Sequence, residues 1–472
     1  MRVDSLPLGG TQSWWFQDAH AQDTHRPESL NSDDSVDVAI VGGGYTGLWT
    51  ALALSDRSSG VRTAVLEGGL CGSQASGKNG GVVHGYWTYL HRLLPMFGVT
   101  GTRQVAEMGS RAQQAVEDFC CSQADALWWR SRGMMKIATT MKQGASLQNL
   151  VDAARAIERP EKVTALSLEQ VQARCASPRF RSGAFLPEAA TVHPAKLALA
   201  LRNEALHRGI SVFENTPLSE IKPVGDSYLL RVPNATLKAR RVVLTTNSAL
   251  VRLPPVRPHM TNFSSFAVMT EPLPNILEEI GWTGGESIAD SRMFLHYFRT
   301  TPDGRVLMGT GSGPIAFGSK MKGLSDDRDS IGRAVDGLRS LLPALSEAKI
   351  VGAWGGPIDV SADHLPFFGT IKDTRIQYGC GYSGHGVNAA WIGGQVLSAL
   401  ALGEKNEWTT SPFHNRKLPS LPPEPFRYLG GRSIRAAILS CEEAEERGRA
   451  GNAVQRVVAS LPKVLGIQVG TR

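Results

Sequence analysis

No feature narrows the fold of this chain as much as Gly42-x-Gly44-x-x-Gly47, which follows an apolar run at 36–41 and opens an amphipathic stretch reaching about residue 54. A second apolar run spans 63–67 and ends in Glu67, twenty positions beyond Gly47. Glycine triads occur in many strand-to-helix turns for structural reasons alone, so the spacing of all four parts matters more than the triad. Gly42 permits the tight turn, Gly44 lets the backbone approach a pyrophosphate, and Gly47 allows close packing of helix on strand. The helix start then offers unpaired N–H groups and a positive dipole end to phosphate, and Glu67 suits ribose hydroxyls. The pattern predicts an α/β fold, α+β overall, that opens with a Rossmann-like dinucleotide-binding unit.

The fingerprint alone does not separate FAD from NAD. A second short, polar, glycine-rich stretch at 75–81 does, because a chain placed just after the ribose acid can run along the cofactor towards its ring. There Ser76, Lys78 and Asn79 carry hydrogen-bond donors, followed by Gly80 and Gly81. A third motif, Gly379-x-Gly381-x-x-Gly384, repeats the fingerprint spacing, but Glu404, about twenty positions on, directly follows the helix and no second strand presents it. We therefore read this motif as a second helix start, near Gly386 to Asn388, whose positive end faces the charge that collects on a reduced flavin. The residues expected to contact FAD are Gly42, Gly43, Gly44, Thr46, Gly47, Glu67, Gly68, Ser76, Lys78, Asn79, Gly80, Gly81, Leu218, Thr246, Gly384, His385, Gly386 and Val387.

With 472 residues the chain exceeds one ordinary core, and the patterns divide it into interleaved parts. Residues 1–35 form a polar arm that packs through Trp14, Trp15 and Phe16. Residues 36–89, 181–251 and 351–403 form the FAD-binding domain, while 90–180 and 252–350 form an antiparallel-sheet substrate domain. Residues 404–472, beginning with a proline-rich linker, form a peripheral helical tail. The six cysteines make no C-x-x-C pair, which argues against metal clusters and disulfides and for a reducing cytoplasm. No signal-like segment opens the chain. The net charge of +7 comes from scattered Lys and Arg without an aromatic-interleaved stripe, so nucleic acid is not the expected partner. The apolar stretch 36–54 holds Asp37 and three glycines, which suits a strand and helix rather than an integral membrane segment. His364 with Asp359 and Asp363 is a poor metal set, and no metal is expected.

In these motifs the chain resembles the FAD-dependent amino-acid and amine oxidoreductases of the D-amino-acid oxidase superfamily, a group that includes glycine oxidase, monomeric sarcosine oxidase and gamma-glutamylputrescine oxidoreductase. The resemblance rests on VDVAIVGGGYTGLWTALAL, ASGKNGG, VVLTTNSAL, the stretch from Tyr297 through GRVLMGT, and GYSGHGVNAAWIGGQ, and it covers about residues 10–403. Trp14 and Trp15, Asn79-Gly80-Gly81 and PFRYLGG make it most similar to the gamma-glutamylputrescine group, including predicted aminophosphonate oxidoreductases.

The resemblance implies hydride transfer from the carbon bearing nitrogen to FAD, giving an imine that water hydrolyses to a carbonyl compound. Gly355 stands where sarcosine oxidase has its flavin-linking cysteine, so the FAD is expected to be non-covalent. Asn388 stands where that enzyme has an active-site lysine, so N-methyl specificity does not carry over.

Tyr297 and Arg299, at i and i+2 of one strand, are expected to share a face on the substrate side. Arg299 is a candidate clamp for a carboxylate or phosphonate, or else a structural ion-pair partner. His84, His385 and Trp354 are candidate ring neighbours, with His84 and His385 as catalytic candidates. Oxidation of a carbon–oxygen bond, or a flavoprotein subunit that needs a partner chain, are the alternative readings. The exact substrate, the acceptor (oxygen, quinone or another carrier) and the oligomeric state are not read from sequence.

Overall fold

The computed structural model describes residues 12–123, 126–464 and 466–469. The first eleven positions of the arm therefore lie outside the described residues. Its remainder forms the helix Trp14–Ala21, capped by Ser13, whose side chain accepts from the Phe16 N–H. Trp15 and Phe16 are buried against the body, as their apolar grouping predicts.

Two large sheets carry the fold. The first is built on the parallel strands Ser211–Phe213, Thr63–Leu66, Asp34–Val41, Thr236–Leu244 and Ile376–Cys380, in that spatial order, with Phe367–Thr370 antiparallel at the edge. Its inner strands read as continuous apolar runs because helices cover both faces. Val38, Ala39 and Ile40 are all buried, and the stretch 36–54 is indeed a strand followed by the helix Tyr45–Arg57. That helix packs on the helix Gly386–Leu402 so closely that a side chain at Gly394 would meet the Trp49 carbonyl at 2.8 Å.

The second sheet has eight strands, in the order Ile350–Ser361, Met260–Thr270, Val306–Thr310, His296–Thr300, Ser287–Asp290, Met134–Ala138, Ser182–Leu186 and Thr164–Leu166. Three expectations change here. The strand Ile350–Ser361, placed by pattern in the FAD-binding part, pairs along its length with Met260–Thr270 in the second sheet. Ser182–Leu186 likewise pairs with Met134–Ala138, so the stretch 90–180 and its neighbour supply three strands as well as helices. The sheet is also mixed, since Ser287–Asp290 runs parallel to Met134–Ala138.

The tail is not peripheral. Its helices Phe426–Glu446 and Ala453–Val464 lie across the second sheet's side of the molecule, tied down by polar contacts. Glu442 accepts from the Met293 N–H at 2.5 Å, Arg435 donates to the Ser312 carbonyl, and Arg427 donates to the Met260 carbonyl at 3.1 Å. Among the described residues no helix is long and apolar enough to cross a membrane.

Candidate functional site

A cavity of about 1440 Å³ begins at the carboxyl edge of the first sheet and runs to the inner face of the second. This exceeds the usual 300–1,000 Å³ of a small-molecule site, as a long dinucleotide with a substrate space beside it requires. The first turn has the form its glycines predict. Gly42 takes a φ of +115°, and a Cβ on Gly47 would lie 1.8 Å from the Gly42 carbonyl oxygen. A Cβ on Gly44 would meet only Ser76 Oγ at 2.9 Å, so the space before the helix start belongs to neither strand nor helix. Glu67 accepts from the Gly43 N–H at 2.7 Å and the Gly69 N–H at 2.9 Å, which orients its carboxylate across the turn. Burial raises its pKa, with those two N–H groups opposing.

The sequence-predicted contacts separate into two groups. Gly42, Gly44, Thr46, Glu67, Gly68, Ser76, Lys78, Asn79, Gly80, Leu218, Thr246, Gly384, His385, Gly386 and Val387 line the cavity. Gly43, Gly47 and Gly81 do not. Gly43 and Gly47 shape the turn, and the Gly81 carbonyl accepts from Arg299. The polar stretch at 75–81 also differs in detail. Asn79 spends both amide hydrogens on the carbonyls of Ala75 and Ser76 and accepts from the Gly81 N–H, so it braces its own loop rather than donating to a ligand. Ser76 Oγ accepts from the Tyr45 N–H at 2.9 Å and keeps its proton to donate. Trp354 lies outside the lining and holds this loop, donating to the Lys78 carbonyl at 2.8 Å.

The second glycine turn is held by a residue that sequence reading weighed only as a poor metal ligand. Asp359, fully enclosed, accepts from the Gly381 N–H at 2.5 Å and the Tyr382 N–H at 3.3 Å. Burial raises its pKa to about 6 against those two bonds. Asp363 pairs instead with Arg416 at 2.8 Å. Asn388 faces Gly109 and Gln113, away from the cavity, and Gly355 faces the Phe266 ring. None of the six cysteines lines the cavity.

Of the four catalytic candidates, three share one cavity. His84, His385 and Tyr297 all line the cavity. The two imidazole rings sit 5.2 Å apart between centroids. Burial lowers His84 to about 4 and His385 well below the ordinary imidazole value, with the neighbouring His84 adding to the latter. Both are neutral at pH 7. His385 Nε2 shares a hydrogen bond with the Tyr89 hydroxyl, and its Nδ1 is buried without a partner among the described residues. Tyr297 Oη lies 3.1 Å from Ser265 Oγ, and burial raises its pKa.

Arg299 does not fit the clamp. It shares a strand face with Tyr297 as expected, but that face runs out of the cavity beneath the arm and the 75–81 loop. The guanidinium is wholly buried, donates to the carbonyls of Gly81 (3.0 Å), Val192 (2.6 Å) and Thr300 (3.2 Å), and lies 5.5 Å from the Trp15 ring centre. Among the described residues it forms no ion pair either. Replacing it, as Arg299→Met, should therefore weaken anionic and neutral substrates by the same factor. A loss about ten-fold greater for the anionic one, read by saturation kinetics, would restore the clamp.

Two contributors were missed. Lys136 lines the cavity from Met134–Ala138, and the tail supplies part of the wall through Phe426, Ile434, Leu461, Ile467 and Val469.

Comparison with known proteins agrees with this geometry. A family model described as FAD dependent oxidoreductase matches residues 37–400. A Rhizobium meliloti protein named Probable oxidoreductase OrdL is 28% identical over 408 residues, 85% of this chain and 89% of that one. Gamma-glutamylputrescine oxidoreductase of Escherichia coli is 27% identical over 414 residues, covering 86% and 91%. Among solved structures, glycine oxidase from Geobacillus kaustophilus superposes with a TM-score of 0.67 at 20% identity, over 81% of this chain and 99% of that one.

Proposed function

Because the chain belongs to the FAD-dependent oxidoreductase family, whose model spans 37–400, we propose that it oxidises the carbon–nitrogen bond of a small amine, amino acid or aminophosphonate. The observation that carries this reading is the continuity of one cavity from the Gly44 helix start to a chamber lined by Tyr297 and two neutral histidines. The residues fit FAD: the open space before Gly44 and the oriented Glu67 suit a diphosphate and a ribose, and the helix start at Gly386 faces the chamber. With no cysteine in the lining, attachment of the cofactor is non-covalent in this reading. When bound, FAD supplies the acceptor for a hydride from the carbon next to nitrogen.

The chain's own residues do the rest. The apolar part of the lining, with Phe263, Phe266, Ile288, Leu295 and Ile358, lowers the polarity around an entering amine and favours its neutral form. His84 and His385, neutral rings on the wall, put no charge beside such an amine. Tyr297, fixed by Ser265, presents a hydroxyl that orients the substrate. The test is anaerobic: holoprotein is mixed with a panel of polyamines, amino acids and aminophosphonates, and the visible flavin band is followed before air is admitted. Bleaching by at least one amine is expected. A flavin that no amine reduces, or that only hydroxy compounds reduce, overturns the assignment.

A further inference from the structure

The second sheet places Lys136 in one cross-strand row with Ala289, Tyr297 and Gly309, each residue the register partner of the next. Register partners stand on the same face of a sheet. Lys136 therefore looks into the same chamber as Tyr297, two strand spacings or about 10 Å away, with only the Ala289 methyl between them. Lys136 is 8% exposed, and the cavity is what it faces. Among the described residues no carboxylate or carbonyl accepts a hydrogen bond or forms an ion pair with its ammonium. Asp290, the acid that acts on it from nearby, is occupied by His296, accepting from its backbone N–H at 2.9 Å and lying 2.7 Å from its Nδ1.

A buried ammonium without a counter-charge is costly, and natural chains ordinarily pair it or replace it with an apolar residue. Burial and the neighbouring Arg92 lower Lys136 to about 8, so it still carries its proton at neutral pH. Arg299, on the strand face of Tyr297 but outside the cavity lining, has its guanidinium turned onto backbone carbonyls. Among the described residues Asp290 is an acid that acts on Lys136, but it is engaged by His296, so a cation kept in this cavity is accounted for by an anion that arrives with the ligand.

We propose that Lys136 anchors the anionic group of the substrate, a carboxylate or a phosphonate carried by the amine, and so makes the site select anionic over neutral amines. This rests on the amine-oxidising reading above. The ammonium is a compact point charge, which suits the several oxygens of either group. An anchor at Lys136 leaves the nitrogen-bearing end of a short substrate on the Tyr297 side of the row.

The test uses flavin-loaded protein as wild type, Lys136→Met and Lys136→Arg. Acetate and methylphosphonate, which carry no amine, are titrated calorimetrically, and glycine, aminomethylphosphonate and methylamine are then compared in anaerobic flavin reduction. Lys136→Met should weaken the bound anion at least about ten-fold and raise the half-saturating concentration of the matching anionic amine by a similar factor. The limiting reduction rate should stay within about three-fold, methylamine should be unaffected, and Lys136→Arg should recover most of the loss. Which wild-type probe binds tells carboxylate from phosphonate. The Met variant should fold, since an apolar side chain replaces a buried charge. Wild-type protein that binds neither anion, or a Met variant that binds both as wild type does, overturns the anchor. So does an equal loss for methylamine and the anionic amines. If no amine bleaches the wild type, the functional reading fails separately, while the calorimetry still decides on Lys136.

Discussion

Gly44→Val is expected to give a folded protein without colour. The backbone at Gly44 has φ −86° and ψ −175°, an extended conformation open to any residue, so the substitution brings little strain. The one atom near its Cβ is the Oγ of Ser76, the end of a short movable side chain. The added methyl groups instead fill the space before the helix start, where a pyrophosphate has to approach the backbone. Gly47→Val is the contrasting case, because its Cβ would overlap the Gly42 carbonyl and drive helix from strand. Flavin absorbance relative to protein, with circular dichroism, separates the two. Gly44→Val should keep its spectrum of secondary structure and lose the flavin, while Gly47→Val should lose both. A yellow Gly44→Val protein would remove the diphosphate from this turn.

Arg202→Met should destabilise the fold by about 3–5 kcal/mol, the range for removing one partner of a buried ion pair. Arg202 is 2% exposed and pairs with Asp23 at 2.7 Å and Glu214 at 3.7 Å, themselves 4% and 0% exposed. Burial pushes the Asp23 carboxyl upward and Arg202 holds it below its usual value, so without Arg202 the acid loses the interaction that offsets its burial. Glu214 also accepts from the Cys71 N–H, four positions beyond Glu67, so the damage reaches the first glycine turn. A fall of several degrees in the melting midpoint, and weaker flavin retention, are the expected readings. Arg111→Met, which breaks an ion pair whose side chains are 47% and 57% exposed, should cost under about 1 kcal/mol. Equal costs for both variants would show that the cluster is not the tie described.

The first glycine turn was legible because its information is local. Three glycines, a strand, a helix and Glu67 lie within a short stretch, and each has a backbone reason to be there. Legibility fails where the deciding partner is distant. The period of the strand at 296–300 correctly puts Tyr297 and Arg299 on one face, but what covers Arg299 comes from Gly81 and Trp15, more than two hundred positions away. The strand Ile350–Ser361 has the same apolar character in either sheet, and only its pairing with Met260–Thr270 decides which. Lys136, inside Met-Met-Lys-Ile-Ala, carries no motif. Its meaning comes from a register row assembled from four separate strands.

The wall contributed by Phe426–Glu446 and Ala453–Val464 sets an order of events during synthesis. Every group of the dinucleotide cradle, from Gly42 to Val387, leaves the ribosome before the first turn of that wall is made. The nascent chain thus passes through a stage in which the vessel is formed and still uncovered. A large cofactor has a wider entrance at that stage than after Phe426, Ile434 and Leu461 have joined the lining.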